Sequence, residues 1–456
     1  MLAAARGRAS GCAGVRRGGH CRAGARTGAG RGVVSGLLSG PGGRAARRDG
    51  PGRVLIVVEN LPVPFDRRVW MEATALRDHG YHVSVICPTG RGFEATRETL
   101  EGIEIYRHPL PPESNAGLGF VREYLAALYH ETRLAWRVRR EQGFDVLHAC
   151  NPPDLIFLVA APFRALFGTR FVFDQHDVNP ELYVTKFGRR DLGYHALKLV
   201  ERLTFALADV VISTNESYRQ IALTRGRRRP EQVFVVRSAP SLERFAYRPG
   251  GEAHRAGFRH LVGYLGVMGP QEGVDVLLRA VRHIVDGGRR DIRFMLIGGG
   301  SSLEDLKTLA RDLDLEDVVE FTGRIPDDDL LTRLSACDVC VNPDPLNPLN
   351  DVSSMNKIVE YMALGRPIVQ FDLKEGRASA GEASVYARPN DPAALAQATL
   401  DLLDDPARRA QMGEAGLRAM RERLAWHHQI PSLLAAYRRA LGARTAQESG
   451  QVGVRW

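Results

Sequence analysis

The segment Ser353-Ser354-Met355-Asn356-Lys357-Ile358-Val359-Glu360 sets a cation and a carboxylate three residues apart behind two serines. At that spacing Lys357 and Glu360 share one face of a helix. Serines at a helix start can cap its free N–H groups, and the positive end of the helix dipole favours a phosphate. Gly365 is placed to end the helix and Pro367 to open the next strand. A cation beside a phosphate pocket and a carboxylate for sugar hydroxyls would suit a nucleotide-sugar. A capped helix with a surface Lys–Glu pair has the same spacing.

A second polar cluster, Asp174-Gln175-His176-Asp177-Val178-Asn179-Pro180-Glu181, directly follows the apolar run 171–173. A doubly wound fold places its ligands at such a point. His176 lies between two aspartates, and Asp177 is expected to orient its ring or to touch an acceptor. The loop 59–69 carries Asp66-Arg67-Arg68 but no Gly-x-Gly-x-x-Gly, which makes it a poor dinucleotide site. Arg67 or Arg68 would suit an anionic acceptor or donor phosphates; an Asp N-cap followed by two solvated arginines is the alternative. Gly298-Gly299-Gly300 ends an apolar run where backbone can come close to a ligand. Asp327-Asp328-Asp329 invites a metal, yet it follows Pro326 and opens a helical pattern. Capping and dipole complementation suffice there, and no metal is expected. Cys337 and Cys340 fall in Ala-Cys-Asp-Val-Cys-Val and read as core-strand residues.

These groups need a scaffold, and from Arg53 onward short β-branched runs alternate with longer helical periods. Strands are expected at 54–58, 83–87, 103–106, 146–148, 171–174, 210–213 and 233–236, with helices such as 68–79, 121–141 and 192–207 between them. The second half repeats the theme. Its strands are expected at 261–266, 294–298, 318–322, 339–342, 367–371 and 384–387, and its helices at 274–285, 303–313, 327–336, 354–364 and 392–403. Continuous apolar strands separated by helices predict an α/β protein with parallel sheets covered on both faces. The Pro/Gly/Arg-rich segment 239–257 reads as a linker between an N-terminal domain (53–238) and a C-terminal one (258–424). A final helix is expected at 425–442, with flexible tails at 1–52 and 443–456.

The run from Lys357 to Pro367 resembles the donor-site motif Lys-x-x-Glu-Tyr-x-Ala-x-Gly-x-Pro of a subgroup of family 4 glycosyltransferases. The resemblance extends from Arg53 to about Leu441. It implies the glycosyltransferase-B fold, two Rossmann-like doubly wound domains facing each other across a cleft. It also implies transfer of a sugar from a nucleotide diphosphate-sugar, with retention and without a metal or other cofactor. Glu360 aligns with the family glutamate that binds the donor ribose, and His176 with the histidine that lines the reaction centre. Gly266, Gly298, Gly299, Arg324, Ser353, Ser354 and Lys357 fall to the donor side; Asp66, Arg67 and Arg68 fall to the acceptor side. Two positions depart from the pattern. Val352 stands where the family has its first glutamate, with Asn350 and Asp351 as neighbours able to substitute. Val267 and Glu272 stand where an Arg and a Lys usually meet the diphosphate, so Lys357 is the first replacement cation and Arg324 the second. A sugar-nucleotide-binding protein without turnover, and a nucleotide-sugar 2-epimerase of the same fold, are the rival readings.

The net charge of +9 does not point to nucleic acid, because ten arginines and a single acid in residues 1–50 account for all of it. That Gly/Ala/Arg-rich start reads as disorder or a mis-assigned start site ahead of a transit peptide. Only five lysines occur in the chain, a bias that suggests GC-rich, bacterial coding. The longest apolar run, 155–163, is too short to span a membrane. A cytoplasmic protein is expected, acting on a glycan or lipid-linked acceptor in surface polysaccharide or glycoconjugate synthesis. The stretch 121–144 interleaves Arg122, Arg133, Arg137, Arg139 and Arg140 with Tyr124, Leu125, Leu128 and Trp136. It reads first as a solvated face over a core stripe, and second as a peripheral contact with the inner face of the membrane.

Overall fold

The computed structural model describes residues 50–109 and 117–442, without the side chains of 117–124. The tails expected at 1–52 and 443–456 lie outside them, apart from residues 50–52, and so do the side chains of Arg122 and Tyr124.

The first of two sheets contains β1 (Arg53–Val57), β2 (His82–Pro88), β3 (Arg97–Leu100), β4 (Ile103–His108), β5 (Val146–Cys150), β6 (Arg170–Gln175), β7 (Val210–Ser213) and β8 (Val233–Val235). The second contains β9 (His260–Leu265), β10 (Ile292–Ile297), β11 (Val319–Gly323), β12 (Val339–Asn342), β13 (Ile368–Phe371) and β14 (Ser384–Ala387). Their strand orders are β3-β4-β2-β1-β5-β6-β7-β8 and β11-β10-β9-β12-β13-β14. Every pairing is parallel except β3 with β4. Both orders reverse beside their first strand, at β1/β5 and at β9/β12, so a crevice opens beyond the strand ends at each of those points.

The helices over the first sheet are α1 (Arg67–Asp78), α2 (Gly117–Glu141), α3 (Phe157–Phe167), α4 (Asn179–Phe187), α5 (Leu192–Leu207) and α6 (Glu216–Thr224). Those of the second half are α7 (Val274–Asp286), α8 (Leu303–Asp312), α9 (Asp327–Ser335), α10 (Asn356–Ala363), α11 (Lys374–Ala380), α12 (Pro392–Leu403) and α13 (Pro406–Ala419), with α14 (Trp426–Leu441) closing the chain. None of the described helices is long and apolar enough to cross a membrane.

Strand periodicity explains why both sheet faces are covered. Along β1, Val54 and Ile56 join Val69, Ala73 and Leu76 of α1, while Leu55 and Val57 join Ala135 and Val138 of α2 and Phe163 of α3. Along β9, Val262 and Tyr264 face α7, and Leu261 faces α10. Each such buried side chain contributes about 1.5–3 kcal/mol over an exposed one.

The strands match the expected runs closely, with β3 added as a polar antiparallel edge. Helices α3, α4, α6, α11 and α13 were not among those expected. In α3 the run 155–163 is apolar on all sides, which hides a helical period. On α2, Leu128 is buried and Trp136 stacks against Phe163 and Phe167, so its core stripe is present. The expected linker segment seats Phe245 in the core around α10.

Helix α14 leaves the second half and lies against the first sheet, where Leu433, Ala436, Tyr437 and Ala440 join Val54 and Ile56. The chain therefore passes between the two halves twice, and the passages touch. Trp426 N donates to Pro240 O at 3.3 Å, and Arg237 N donates to Gln429 Oε1 at 3.2 Å.

Candidate active site

The loop after β1 enters α1 through Asp66, whose Oδ1 accepts from Val69 N at 3.1 Å. Arg67 and Arg68 then stand in the first turn, where a cation opposes the helix dipole, and both are held by acids. Arg68 is buried. Its Nη2 and Nε donate to Asp174 Oδ1 and Oδ2 at 2.8 and 3.1 Å, and its Nη1 donates to Val236 O at 2.9 Å and Ser238 Oγ at 3.1 Å. The alternative of two solvated arginines is thus wrong for Arg68, and so is its expected contact with an anionic acceptor. Its guanidinium is used up inside the fold.

Asp174, the last residue but one of β6, organises this side of the cleft. With its proton on Nε2, His176 donates to Asp174 Oδ2 at 2.6 Å. Arg68 Nε lies 3.0 Å from the same ring nitrogen, and the carboxylate is the acceptor both share. Burial alone would raise the Asp174 carboxyl, but Arg68 and His176 hold it well below the ordinary range. Glu72, 3.0 Å from Arg68, goes the other way: burial pushes it well up, with the charge on Asp174 adding to the effect. Arg68 and Asp174 are therefore the ion pair of this cluster, while burial favours the neutral form of Glu72.

Asp177 does not orient the His176 ring as expected; Asp174 does. Asn151, just past β5, fixes the backbone instead. Its Oδ1 accepts from His176 N at 2.7 Å and Asp177 N at 3.2 Å, and its Nδ2 donates to Asp177 O at 2.8 Å. His148, Cys150 and Asp174 place potential ligand atoms within 4.8 Å of one another. The Arg68 guanidinium already occupies Asp174, and a cation there would meet that charge, so the geometry argues against a metal.

Across the cleft, the glycines after β9 and β10 are explained first by backbone. A Cβ on Gly298, at φ +137°, would lie 1.8 Å from Gly266 O. One on Gly266 would meet the Tyr264 hydroxyl at 2.7 Å and the Lys357 side chain at 3.3 Å. Gly299 is the open one, with only the Arg324 side chain within 4 Å.

Lys357 and Glu360 separate. The Lys357 ammonium turns inward, 2.9 Å from Asp344 Oδ1, 3.1 Å from Glu272 Oε2 and over the Tyr264 ring. Burial opposes its charge, but Asp344, Tyr264 and Glu272 outweigh burial and raise its pKa. One cation shared by two carboxylates is not a phosphate cradle, which corrects the expected role of Lys357. Glu360 is half-buried, its carboxyl raised by burial, and its Oε1 is 3.8 Å from Arg67 Nη1. Arg67 reaches over from α1 and bonds Asp327 Oδ1 at 2.7 Å. Asp327, in the first turn of α9, also pairs with Arg244. No aspartate side chain caps α9; the three complement its dipole.

The serines do not cap α10 either; Met355 precedes its first turn. Ser353 Oγ bonds the Tyr218 hydroxyl at 3.0 Å and Leu349 O at 2.8 Å, and Ser354 Oγ accepts from Asn215 Nδ2 at 3.1 Å. Both serines join the halves, as do Ser217 N to Glu375 Oε1 (3.0 Å) and Thr185 Oγ1 to Asn347 Oδ1 (3.2 Å). Arg324 stands at the cleft with its guanidinium over the Phe65 ring, which Arg91 also approaches. Burial and the charges of Arg91 and Arg67 lower the Arg324 pKa, and no acid pairs with Arg91 or Arg324 among the described residues. Arg91 and the ring of Phe65 are site residues that the sequence reading does not assign. The Gly90-Arg91-Gly92 turn, with Arg91 at φ 56°, was the available signal.

Two doubly wound sheets with this cleft between them define the glycosyltransferase-B class. The solved structures most like the chain include sucrose-phosphate synthase from Thermosynechococcus elongatus, with a TM-score of 0.72 at 19% identity over 86% of this chain and 100% of that one. They also include Anabaena HepE in complex with UDP and glucose, with a TM-score of 0.64 at 16% identity over 84% of this chain and 98% of that one. Residues 66–239 match the model for a glycosyl transferase 4-like domain, and residues 259–405 the model for glycosyl transferases group 1. The chain belongs to the group 1, or family 4, glycosyltransferases and is a nucleotide-sugar-dependent enzyme of that family. It is 25% identical to 2-deoxystreptamine glucosyltransferase of Streptomyces kanamyceticus, over 81% of this chain and 97% of the relative. It is 30% identical to D-inositol 3-phosphate glycosyltransferase of Acidothermus cellulolyticus, over 56% of this chain and 57% of the relative.

Proposed function

We propose that the enzyme moves a hexosyl or N-acetylhexosaminyl group from a nucleotide diphosphate-sugar to a hydroxyl of a glycan or lipid-linked acceptor, with retention at the anomeric carbon. The observation that carries the reading is Glu360. It is the half-buried carboxyl left at the cleft once Lys357 has turned to Asp344 and Glu272, so it is available to ribose hydroxyls. His176, locked by Asp174 and Asn151, would line the sugar site.

With Lys357 committed, charge for the departing diphosphate has to come from Arg67 and Arg324, supported by Arg91. The leaving phosphate takes the acceptor proton on the face it departs from. The protein's part is then to orient the substrates, exclude water and stabilise that phosphate, with no need for paired carboxylates. The two named relatives modify a cyclitol and a cyclitol phosphate, which supports a ring hydroxyl as nucleophile. Bacterial surface polysaccharide or glycoconjugate synthesis is the setting that fits.

The test is a panel of UDP- and GDP-sugars offered to the full chain with EDTA present, scoring binding and slow donor hydrolysis. Binding with hydrolysis of one donor is expected. Binding of every donor with none turned over, even when cyclitol and glycan acceptors are supplied, would favour a binding protein without turnover.

A further inference from the structure

Strand β5 reads Val146-Leu147-His148-Ala149-Cys150, and alternation puts His148 on the same face as Val146 and Cys150, toward α1 and α14. The other side chains of the strand are apolar and buried, and His148 is fully buried among them. A polar ring in that position costs free energy unless its nitrogens are answered. Here the answers come from two directions.

Nδ1 lies 2.7 Å from the hydroxyl of Tyr437, on α14. Nε2 faces Asp174 Oδ2 at 3.5 Å and Glu72 Oε2 at 3.7 Å. Burial lowers the pKa of the ring, so at neutral pH it carries a single proton. A bare nitrogen set against the Asp174 carboxylate would be repelled, which assigns that proton to Nε2. Nδ1 is then the acceptor, and Tyr437, whose hydroxyl stays protonated because it is buried, is the donor. The ring is pinned by α14 at one nitrogen and aimed at Asp174 with the other. Asp174 Oδ2 is also the atom to which His176 donates at 2.6 Å. Burial raises that carboxyl, and His148 stands with Arg68 and His176 in holding it down.

We propose that Tyr437 and His148 are positioning residues of the reaction centre: the Tyr437 hydroxyl sets the His148 ring, His148 steadies Asp174 from behind, and Asp174 orients His176. The proposal rests on the reading of His176 as a residue of the sugar site. Tyr437 and His148 are both fully buried, so neither meets substrate itself. The arrangement ties the site to the helix that returns from the second half. Trp426 N bonds Pro240 O where the two passages between the halves touch, and Tyr437 follows eleven residues on, about 16 Å along α14. A shift of α14 along the sheet takes the hydroxyl from Nδ1 and leaves a buried nitrogen without a partner. The reaction centre thereby registers whether that helix is seated.

The experiment is Tyr437→Phe in the full chain, which deletes the hydroxyl and keeps the ring edge-on to Tyr81. With the histidine rings isotope-labelled, long-range proton–nitrogen spectra read each imidazole without any donor, and His148→Gln and His176→Asn supply the assignments. The signals of both His148 and His176 are expected to move. Turnover of the sugar nucleotide found by the panel above should fall roughly tenfold while its affinity stays within about twofold, because the lost bond disturbs His176 and not the donor pocket. His148→Gln keeps an N–H for Asp174 but cannot meet the Tyr437 hydroxyl, so adding Tyr437→Phe to it should cost no further turnover. His176 signals and turnover that stay in place while only the urea midpoint falls would make Tyr437 a packing residue and overturn the proposal. So would losses of turnover that multiply in the double variant. A His176→Ala chain that turns over at the full rate overturns the sugar-site reading instead, and the spectra still score the linkage.

Discussion

Replacing Asp174 by Asn removes the negative half of the buried Arg68–Asp174 pair while keeping its shape. Breaking such a pair typically costs about 3–5 kcal/mol, because the surviving charge stays buried. Here part of that cost is recoverable. Glu72 is 3.0 Å from Arg68, and its carboxyl is raised first by burial and then by the charge on Asp174. Once Asp174 is neutral, Glu72 can ionise in its place, and a charge-assisted bond contributes about 1.5–3 kcal/mol. A net loss of about 2 kcal/mol is expected by urea denaturation at neutral pH. The cycle through Arg68→Met and the double variant provides the check. An apolar replacement of both partners should recover much of the loss, giving a coupling of about 1–3 kcal/mol. The His176 ring loses its orienting carboxylate in the Asn variant, so turnover should fall further than donor affinity. A loss under about 1 kcal/mol, or a double variant whose losses simply add, refutes Asp174 as the anchor of this side of the cleft.

Further outcomes follow from neighbouring residues. Glu360→Ala should weaken binding of the accepted donor by about tenfold or more, as measured calorimetrically; unchanged affinity and turnover would remove the ribose contact. Gly298→Ala sets a methyl against Gly266 O at a backbone angle that disfavours side chains, and should lower stability by about 3 kcal/mol or more. The Asp154 carboxyl is pushed up to about 6 by burial, so the folded chain holds that proton more tightly than the unfolded chain does. Its stabilising effect is complete near pH 3 and is lost as pH rises through 6, about 3 kcal/mol in all. Asp154→Asn should therefore gain on the wild type across that window, and a pH-independent difference between the two would contradict the assignment.

Strands buried on both faces read as unbroken apolar runs, and that is why thirteen of the fourteen strands among the described residues lay in plain view in the sequence. The exception, Arg97-Glu98-Thr99-Leu100, is an edge strand with polar residues on its open side. The site was legible as a set of residue types but not as a set of partners. Lys357 next to Glu360 suggested a pair, yet the acids that claim Lys357 come from positions 272 and 344, in loops that only the sheet order brings together. His176 between two aspartates left the choice of partner open. It went to the aspartate inside the strand, because Asp174 alone of the two is buried beside Arg68. Arg67 gave no sign that it would cross to Asp327, since that contact depends on how two separate sheets face each other.

The twin passages between the halves, near Pro240 and Trp426, act as a hinge with two pins. Two covalent strands that run side by side and bond to each other resist shear and twist, and leave a swing about their common line as the easy motion. A swing that parts the halves must also break Arg67 from Asp327 and Asn215 from Ser354, contacts that join the halves beside these passages. Opening is thus a latch release followed by a rotation of fixed direction, and a substrate that competes for Arg67 would serve as its key.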